Sequence, residues 1–215
     1  MEPDVAVELA TTTAKHGTQV AVLVGDEDSS TIKRVRESVM HEVEKWSDVV
    51  HVKRSFGSKL YALQEKYKGL LSAKVINYLL KCFGYALSQN KGDSEGLQKN
   101  LRALIPRAFG KHKKCDTSWC GFLKNQDTYK HKSLPHGQDL KGESLKEDLE
   151  AVVELFAQNA EKLAPLGSSQ LNKSLNNTIG SKAPKICHYA SSESNDFRVA
   201  CAVVKRIMVI PMLQR

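Results

Sequence analysis

Thr18-Gln19-Val20-Ala21-Val22-Leu23-Val24-Gly25-Asp26-Glu27-Asp28-Ser29-Ser30 is the stretch on which the fold class turns. Residues 18–24 are a β-branched and apolar run closed by Gly17 and Gly25, the composition of a buried strand. Asp26 then stands at the strand's C-terminal end. Ser29, Ser30 or Asp28 can cap a following helix whose stripe is Ile32, Val35 and Val39. Strand, acid, helix is the order in α/β enzymes that build sites at strand ends, so the fold class read here is α/β. The plainer reading is that Asp26 and Asp28 only make the turn and the cap. Upstream, Val5 to Ala10 predicts a helix stopped at Lys15-His16-Gly17.

Downstream, the pattern loosens after Glu42-Val43-Glu44-Lys45-Trp46 into Asp48-Val49-Val50-His51, followed by Lys53-Arg54. An Asp and a His three apart share one side of a helical turn, where they can approach a metal or orient one another. Lys53 and Arg54 suit a phosphate backbone or a wet face. From about Ser58 to Gly180 helical spacing dominates: Leu60, Leu63, Tyr67, Leu70 and Leu71, then Val75, Leu79, Cys82, Phe83 and Ala86. Asp93 and Ser94 can cap a helix that Pro106 stops. Ser144 with Glu147 reads as a capping box before a stripe running from Leu145 to Leu163, ended by Pro165 and Gly167.

Charge narrows the partner. Lys plus Arg outnumber Asp plus Glu by 32 to 24 over 215 residues, a net charge of +8, which favours a polyanion. Lys99, Arg102, Arg107, Lys111, Lys113 and Lys114 lie in a stretch without an acid and make the best local candidate for phosphate contacts. The five cysteines are odd in number and scattered, and no signal-peptide pattern opens the chain, so a reducing compartment is the default. No run of about 18 apolar residues offers a membrane span.

Cys115, Cys120, His131 and His136 are separated by gaps of four, ten and four residues. Tetrahedral zinc takes Cys thiolate and His nitrogen in such sets, and a small insertion with little core gains most from the metal. His112 is a substitute ligand. Trp119, Phe122, Tyr129 and Leu134 would form the small core around the site. The alternative is a set of buried or surface thiols with unrelated histidines.

Near the C-terminus Ser192-Glu193-Ser194-Asn195-Asp196-Phe197-Arg198 predicts a serine-capped helix with Glu193 in its first turn and Pro211 as its end. The order Met1-Glu2-Pro3-Asp4-Val5-Ala6-Val7-Glu8, Gly25-Asp26-Glu27-Asp28-Ser29-Ser30, Lys45-Trp46-Ser47-Asp48-Val49-Val50-His51, Ser118-Trp119-Cys120, His131-Lys132-Ser133-Leu134-Pro135-His136-Gly137 and Glu193 to Ala200 closely resembles the Mutator-like transposase domain of animal DNA transposons. The resemblance implies a ribonuclease H-like α/β core interrupted by a large, mostly helical insertion, and DNA strand cleavage and transfer with Mg2+ or Mn2+ held by an Asp, Asp, Glu triad. Asp26, or Asp28, matches the second acid, Asp48 and His51 the acid-x-x-His element, and Glu193 the third acid.

On that basis residues 1–57 are expected to be a partial core, 58–180 the insertion with a structural Zn2+, and 181–215 a core helix with a short tail. The partner is double-stranded DNA, as transposon ends and target, with homo-oligomeric assembly, residence in the nucleus and no membrane. The opening strands and first catalytic Asp of the family are expected to lie before Met1, which predicts a chain without strand-transfer activity. Two other readings stay open: a DNA-binding protein without catalysis, and a helical interaction module, which absence of a strand at 18–24 would favour.

Overall fold

The structure, a computed structural model, describes residues 2–26, 29–131, 133–184 and 193–209. Asp28 and the Pro211 helix stop therefore lie outside the described residues. The described residues divide between two compact units, Met1–Gly167 and Ser168–Arg215.

The first unit begins with α1 (Glu2–Lys15), β1 (Val22–Gly25), α2 (Ser30–Ser38) and β2 (Glu44–Ser47). The strand expected over 18–24 is present but shorter and shifted, because its partner has four residues. β1 and β2 run parallel in the register Val22↔Glu44 to Gly25↔Ser47. β2 was not legible in the sequence: Glu44-Lys45-Trp46-Ser47 is largely polar and carries no β-branched residue. It forms because the amides and carbonyls of β1 need partners, and the Glu44 amide donates to Ala21 O at 2.9 Å just before the ladder. Ala10, Ile32, Val35 and Val43 are the buried core here, with Leu23 packed against them.

The rest of the first unit is helical: α3 (Val49–Lys66), α4 (Ala73–Gln89), α5 (Ser94–Ala108), the single turn α6 (Gly121–Lys124), α7 (Glu143–Ala157) and the single turn α8 (Ala160–Leu163). Each long start has a local cause. Asp48 caps α3, Ser72 Oγ accepts the Val75 amide at 3.4 Å to cap α4, and Asp93 Oδ1 accepts the Gly96 amide at 2.8 Å to cap α5. The stripes Val52-Phe56-Leu60 and Ile76-Leu79-Phe83 meet in one core with Leu97, Leu101, Leu149, Val153 and Phe156. Phe56 and Phe83 stack with centroids 4.2 Å apart, and Phe156 meets both edge-on at 5.5 and 5.3 Å. Each such pair is worth ~0.5–1.5 kcal/mol beyond the area it buries.

Two sequence expectations are corrected. Pro106 does not stop α5 but lies buried inside its last turn, which ends at Ala108. So near the C-terminus proline removes one backbone bond without breaking the helix. Ser144 makes no capping box: α7 starts at Glu143 after Gly142, whose φ of 104° turns the chain into the helix. The long stripe to Leu163 is two helices, since α7 ends at Ala157.

After α8 the chain passes against the sheet. A Cβ on Gly167 would lie 2.9 Å from Val24 Cγ1 and 3.1 Å from Trp46 Cβ and Ser47 O, so only glycine allows this approach. Gly167 O accepts the Val49 amide at 2.9 Å, fastening the segment to the start of α3.

The second unit contains α9 (Gln170–Lys182) and α10 (Ser194–Val209). Arg198 joins them, donating from Nη1 to Lys182 O at 2.6 Å and from Nε to Ser194 Oγ at 3.2 Å. The boundaries anticipated at 57/58 and 180/181 fall inside α3 and α9.

Candidate functional site

Asp26 and Asp48 each follow the last paired residue of a strand, Gly25 and Ser47, which are partners in register. The Asp48 amide donates to Gly25 O at 3.0 Å and continues the ladder by one bond, so the two acids leave adjacent parallel strands side by side. Their environments differ. Asp26 is exposed and its Oδ1 lies 2.9 Å from His51 Nδ1. Asp48 is 1% exposed, and its Oδ1 accepts the Val50 and His51 amides at 2.8 and 3.4 Å as the N-cap of α3. His51 thus binds Asp48 through its backbone and Asp26 through its ring. Spacing pointed to Asp48 as the ring's neighbour; the strand pairing brings Asp26 there.

Asp26 also lines an open cleft of about 1070 Å³ with Lys33, Arg36, Lys45, Lys59 and Lys162 among its walls. Those cations were not legible as a set, because they come from α2, β2, α3 and α8. The walls carry Glu37, Glu44 and Glu161 as well, so the surface is mixed in sign.

Glu193 belongs to the second unit, is exposed, and its carbonyl accepts the Phe197 amide at 3.0 Å. It therefore sits at the entry to α10, one residue ahead of the predicted first-turn position.

The cysteines and histidines gather at the far end of α5. One ligand atom each from His112, Cys115 and Cys120 lie within 4.8 Å of one another. His112 Nδ1 is 3.8 Å from Cys115 Sγ and 3.4 Å from Cys120 Sγ. Phe122 stacks on His112 at 4.0 Å, and Tyr129 meets both rings edge-on, as expected for the small core. Leu134 is buried but belongs to the main helical core.

His131 is 4% exposed, with its ring centroid 6.0 Å from that of His112. Its Nδ1 is 3.1 Å from the Tyr129 hydroxyl, and its Nε2 is 3.3 Å from Asp139 Oδ1 without hydrogen-bond geometry. Cys115 and Cys120 of the set expected from spacing lie in the group with His112, His131 does not, and neither does His136. It is exposed, in a 3-10 turn with φ 56°, outside the cluster, and His112 stands in its place.

Burial governs the protonation of these groups. It pushes the Cys115 thiol up to about 12, with the Cys120 sulfur adding to the rise. Burial also holds His112 and His131 below the ordinary imidazole value; His131 and Arg107 add to the effect at His112, and Asp139 opposes it at His131. Both rings are then neutral at pH 7, with a lone pair each.

Among the basic candidates Lys53, Arg54, Lys99, Lys111, Lys113 and Lys114 are exposed. Arg102 is also exposed, but Glu154 of α7 takes its guanidinium in a two-point pair at 2.9 and 2.7 Å. Arg107 is half-buried, with its guanidinium carbon 5.2 Å from the Trp119 ring centroid. Both arginines already have partners inside the fold, unlike the picture of a uniformly solvent-facing patch.

A family model described as Mutator-like transposase matches residues 1–120. The chain belongs to that family. The matched region of the chain holds Asp26, Asp48 and His51 and reaches through His112, Cys115 and Cys120. His131, His136 and Glu193 lie beyond it. No curated protein and no solved structure matches the chain. Among the described residues no helix is long and apolar enough to cross a membrane.

Proposed function

We propose that this chain carries part of a DNA strand cleavage and transfer site, on a ribonuclease H-like α/β core interrupted by a large helical insertion. Asp26 and Asp48 are the acids of the first unit, where His51 positions Asp26, and Glu193, matched to the third acid by the family resemblance, stands on the second unit. The observation that supports this reading is the pair of acids at the carboxyl ends of two hydrogen-bonded parallel strands, the common location for sites in α/β sheets.

Asp26 fits a hard divalent cation: an exposed carboxylate with a neighbouring imidazole suits Mg2+ or Mn2+, which keep several waters. A divalent ion held there would supply positive charge at the attacked phosphate. The chain's own share is to hold Asp26 through His51, to hold Asp48 through the α3 cap, and to set Lys33, Arg36 and Lys59 along the cleft where a phosphate backbone can run.

A second reading, DNA binding without cleavage, draws on the buried, amide-bonded state of Asp48. One assay separates the two. Manganese-dependent nicking and strand transfer on duplex DNA is measured for the wild-type chain and for the Asp26→Ala, Glu193→Ala double variant, with DNA retention measured alongside. Nicking that disappears in the double variant supports the catalytic assignment. Equal retention of both proteins without nicking in either supports the binding reading and overturns the catalytic one. With DNA as the substrate, residence in the nucleus and paired copies on two DNA ends are part of the same proposal. Imaging of a tagged chain and light scattering in the presence of DNA test these two points.

A further inference from the structure

We propose that His112 Nδ1, Cys115 Sγ and Cys120 Sγ bind one tetrahedral Zn2+, with His131 in the fourth position, as a structural pin for the basic segment between α5 and α7. The geometry carries this. With Zn–S near 2.3 Å and Zn–N near 2.0–2.1 Å, a tetrahedral site separates a nitrogen from a sulfur ligand by about 3.5 Å. The two distances from His112 Nδ1 to the sulfurs are 3.4 and 3.8 Å. These three atoms lie within S–H···N reach of one another, and the same arrangement offers a borderline-soft cation the nitrogen and two sulfurs it prefers.

Buried His131 is the candidate for the fourth ligand. Two imidazoles on one tetrahedral zinc have ring centroids about 5 Å apart by the same bond lengths, and His112 and His131 are 6.0 Å apart. A closing movement of about 1 Å brings His131 into the set. Its partners suit that role. Asp139 Oδ1, 3.3 Å from Nε2 and outside hydrogen-bond geometry, would become the orienting acceptor of a metal-bound histidine once the ring turns, with Nδ1 exchanging the Tyr129 hydroxyl for the metal. Gly110 keeps Asp139 there: φ is +74°, and a Cβ would lie 2.3 Å from Asp139 Oδ2.

The segment needs such a pin. Between Ala108 and Glu143 the described residues form only one α turn and one 3-10 turn, with few fully buried apolar side chains. Metal binding energy is folding energy in such segments. Lys111, Lys113 and Lys114 flank His112 in sequence, so zinc would also fix the backbone that carries these cations. Their use on DNA rests on the function proposed above; the metal does not.

The test counts metal without DNA. The full chain is purified from zinc-containing medium, its metal content is measured by elemental analysis and native mass spectrometry, and the metal-free protein is titrated with Co2+. One zinc per chain is expected, together with a tetrahedral cobalt spectrum carrying the charge-transfer intensity of two thiolates. His136→Ala is expected to keep both signals, Cys120→Ser to lose one thiolate's share, and His131→Ala to weaken the tetrahedral bands while two thiolates remain. No zinc and a cobalt spectrum like that of the free ion overturn the site. Loss of metal in His136→Ala, or an unchanged cobalt spectrum in His131→Ala, overturns the ligand assignment. Circular dichroism of each variant shows whether the main helices persist, so that unfolding is not read as ligand loss. Failure of DNA nicking leaves these counts unaffected.

Discussion

Asp48 shows how one side chain can carry structure where chemistry was expected. Its carboxylate is buried and accepts two amides at the start of α3, which anchors the stripe Val52-Phe56-Leu60 in the core. Removing a cap of this kind costs about 0.5–2 kcal/mol. Asp48→Ala is therefore expected to lose about 1–2 kcal/mol in urea unfolding, and Asp48→Asn, which keeps an accepting oxygen, clearly less. Equal losses in the two variants would show that the charge, not the cap, matters for stability. The same reasoning sorts the arginines. Arg102 looked like a phosphate contact because nothing near it in sequence is acidic, but Glu154, 52 residues on, neutralises it across α5 and α7.

Helices α3 and α7 are joined by another long-range contact. Asp148 Oδ2 accepts from Lys66 Nζ at 2.7 Å and from the Tyr67 hydroxyl at 2.8 Å. The hydrogen bonds from Lys66 and then Tyr67 hold the Asp148 carboxyl below the usual carboxylate range. A depressed acid gives stability that is complete above its unfolded value near pH 4 and is lost as pH falls through the folded value. Asp148→Asn is thus expected to lower the melting temperature at pH 7, by a margin that shrinks as the pH falls below about 4. A difference that persists in acid would assign the effect to packing. Among the strands, β1 was readable from its own residues, though not its limits. β2 was not, since a polar tetrapeptide becomes a strand only when a neighbour offers unpaired backbone.

Across the chain, the excess of 8 positive charges acts through where it is displayed. Lys113 and Lys114 are exposed beside the His/Cys cluster, and each phosphate neutralised contributes about 0.9 to the slope of log affinity against log salt on B-DNA. Replacing both with Gln is expected to lower that slope by about 1.8 and to weaken all duplex sequences alike. Arg102→Gln is expected to change it little. An unchanged slope in the double lysine variant would remove this segment from the DNA surface.

The sequence was sufficient for whatever depends on near neighbours or on repeated pattern. Helical stripes, the Asp93 cap, the acid after β1 and family membership were all legible, because periodicity, capping and motif order are encoded within a few residues of one another. The tertiary structure alone decided which residues share a site. His51 meets Asp26 instead of Asp48 through strand pairing, and His112 joins Cys115 and Cys120 while His136 turns to solvent. Glu154 reaches Arg102 from another helix. Those contacts depend on angstrom distances set by packing between distant segments, and one-dimensional spacing does not contain them.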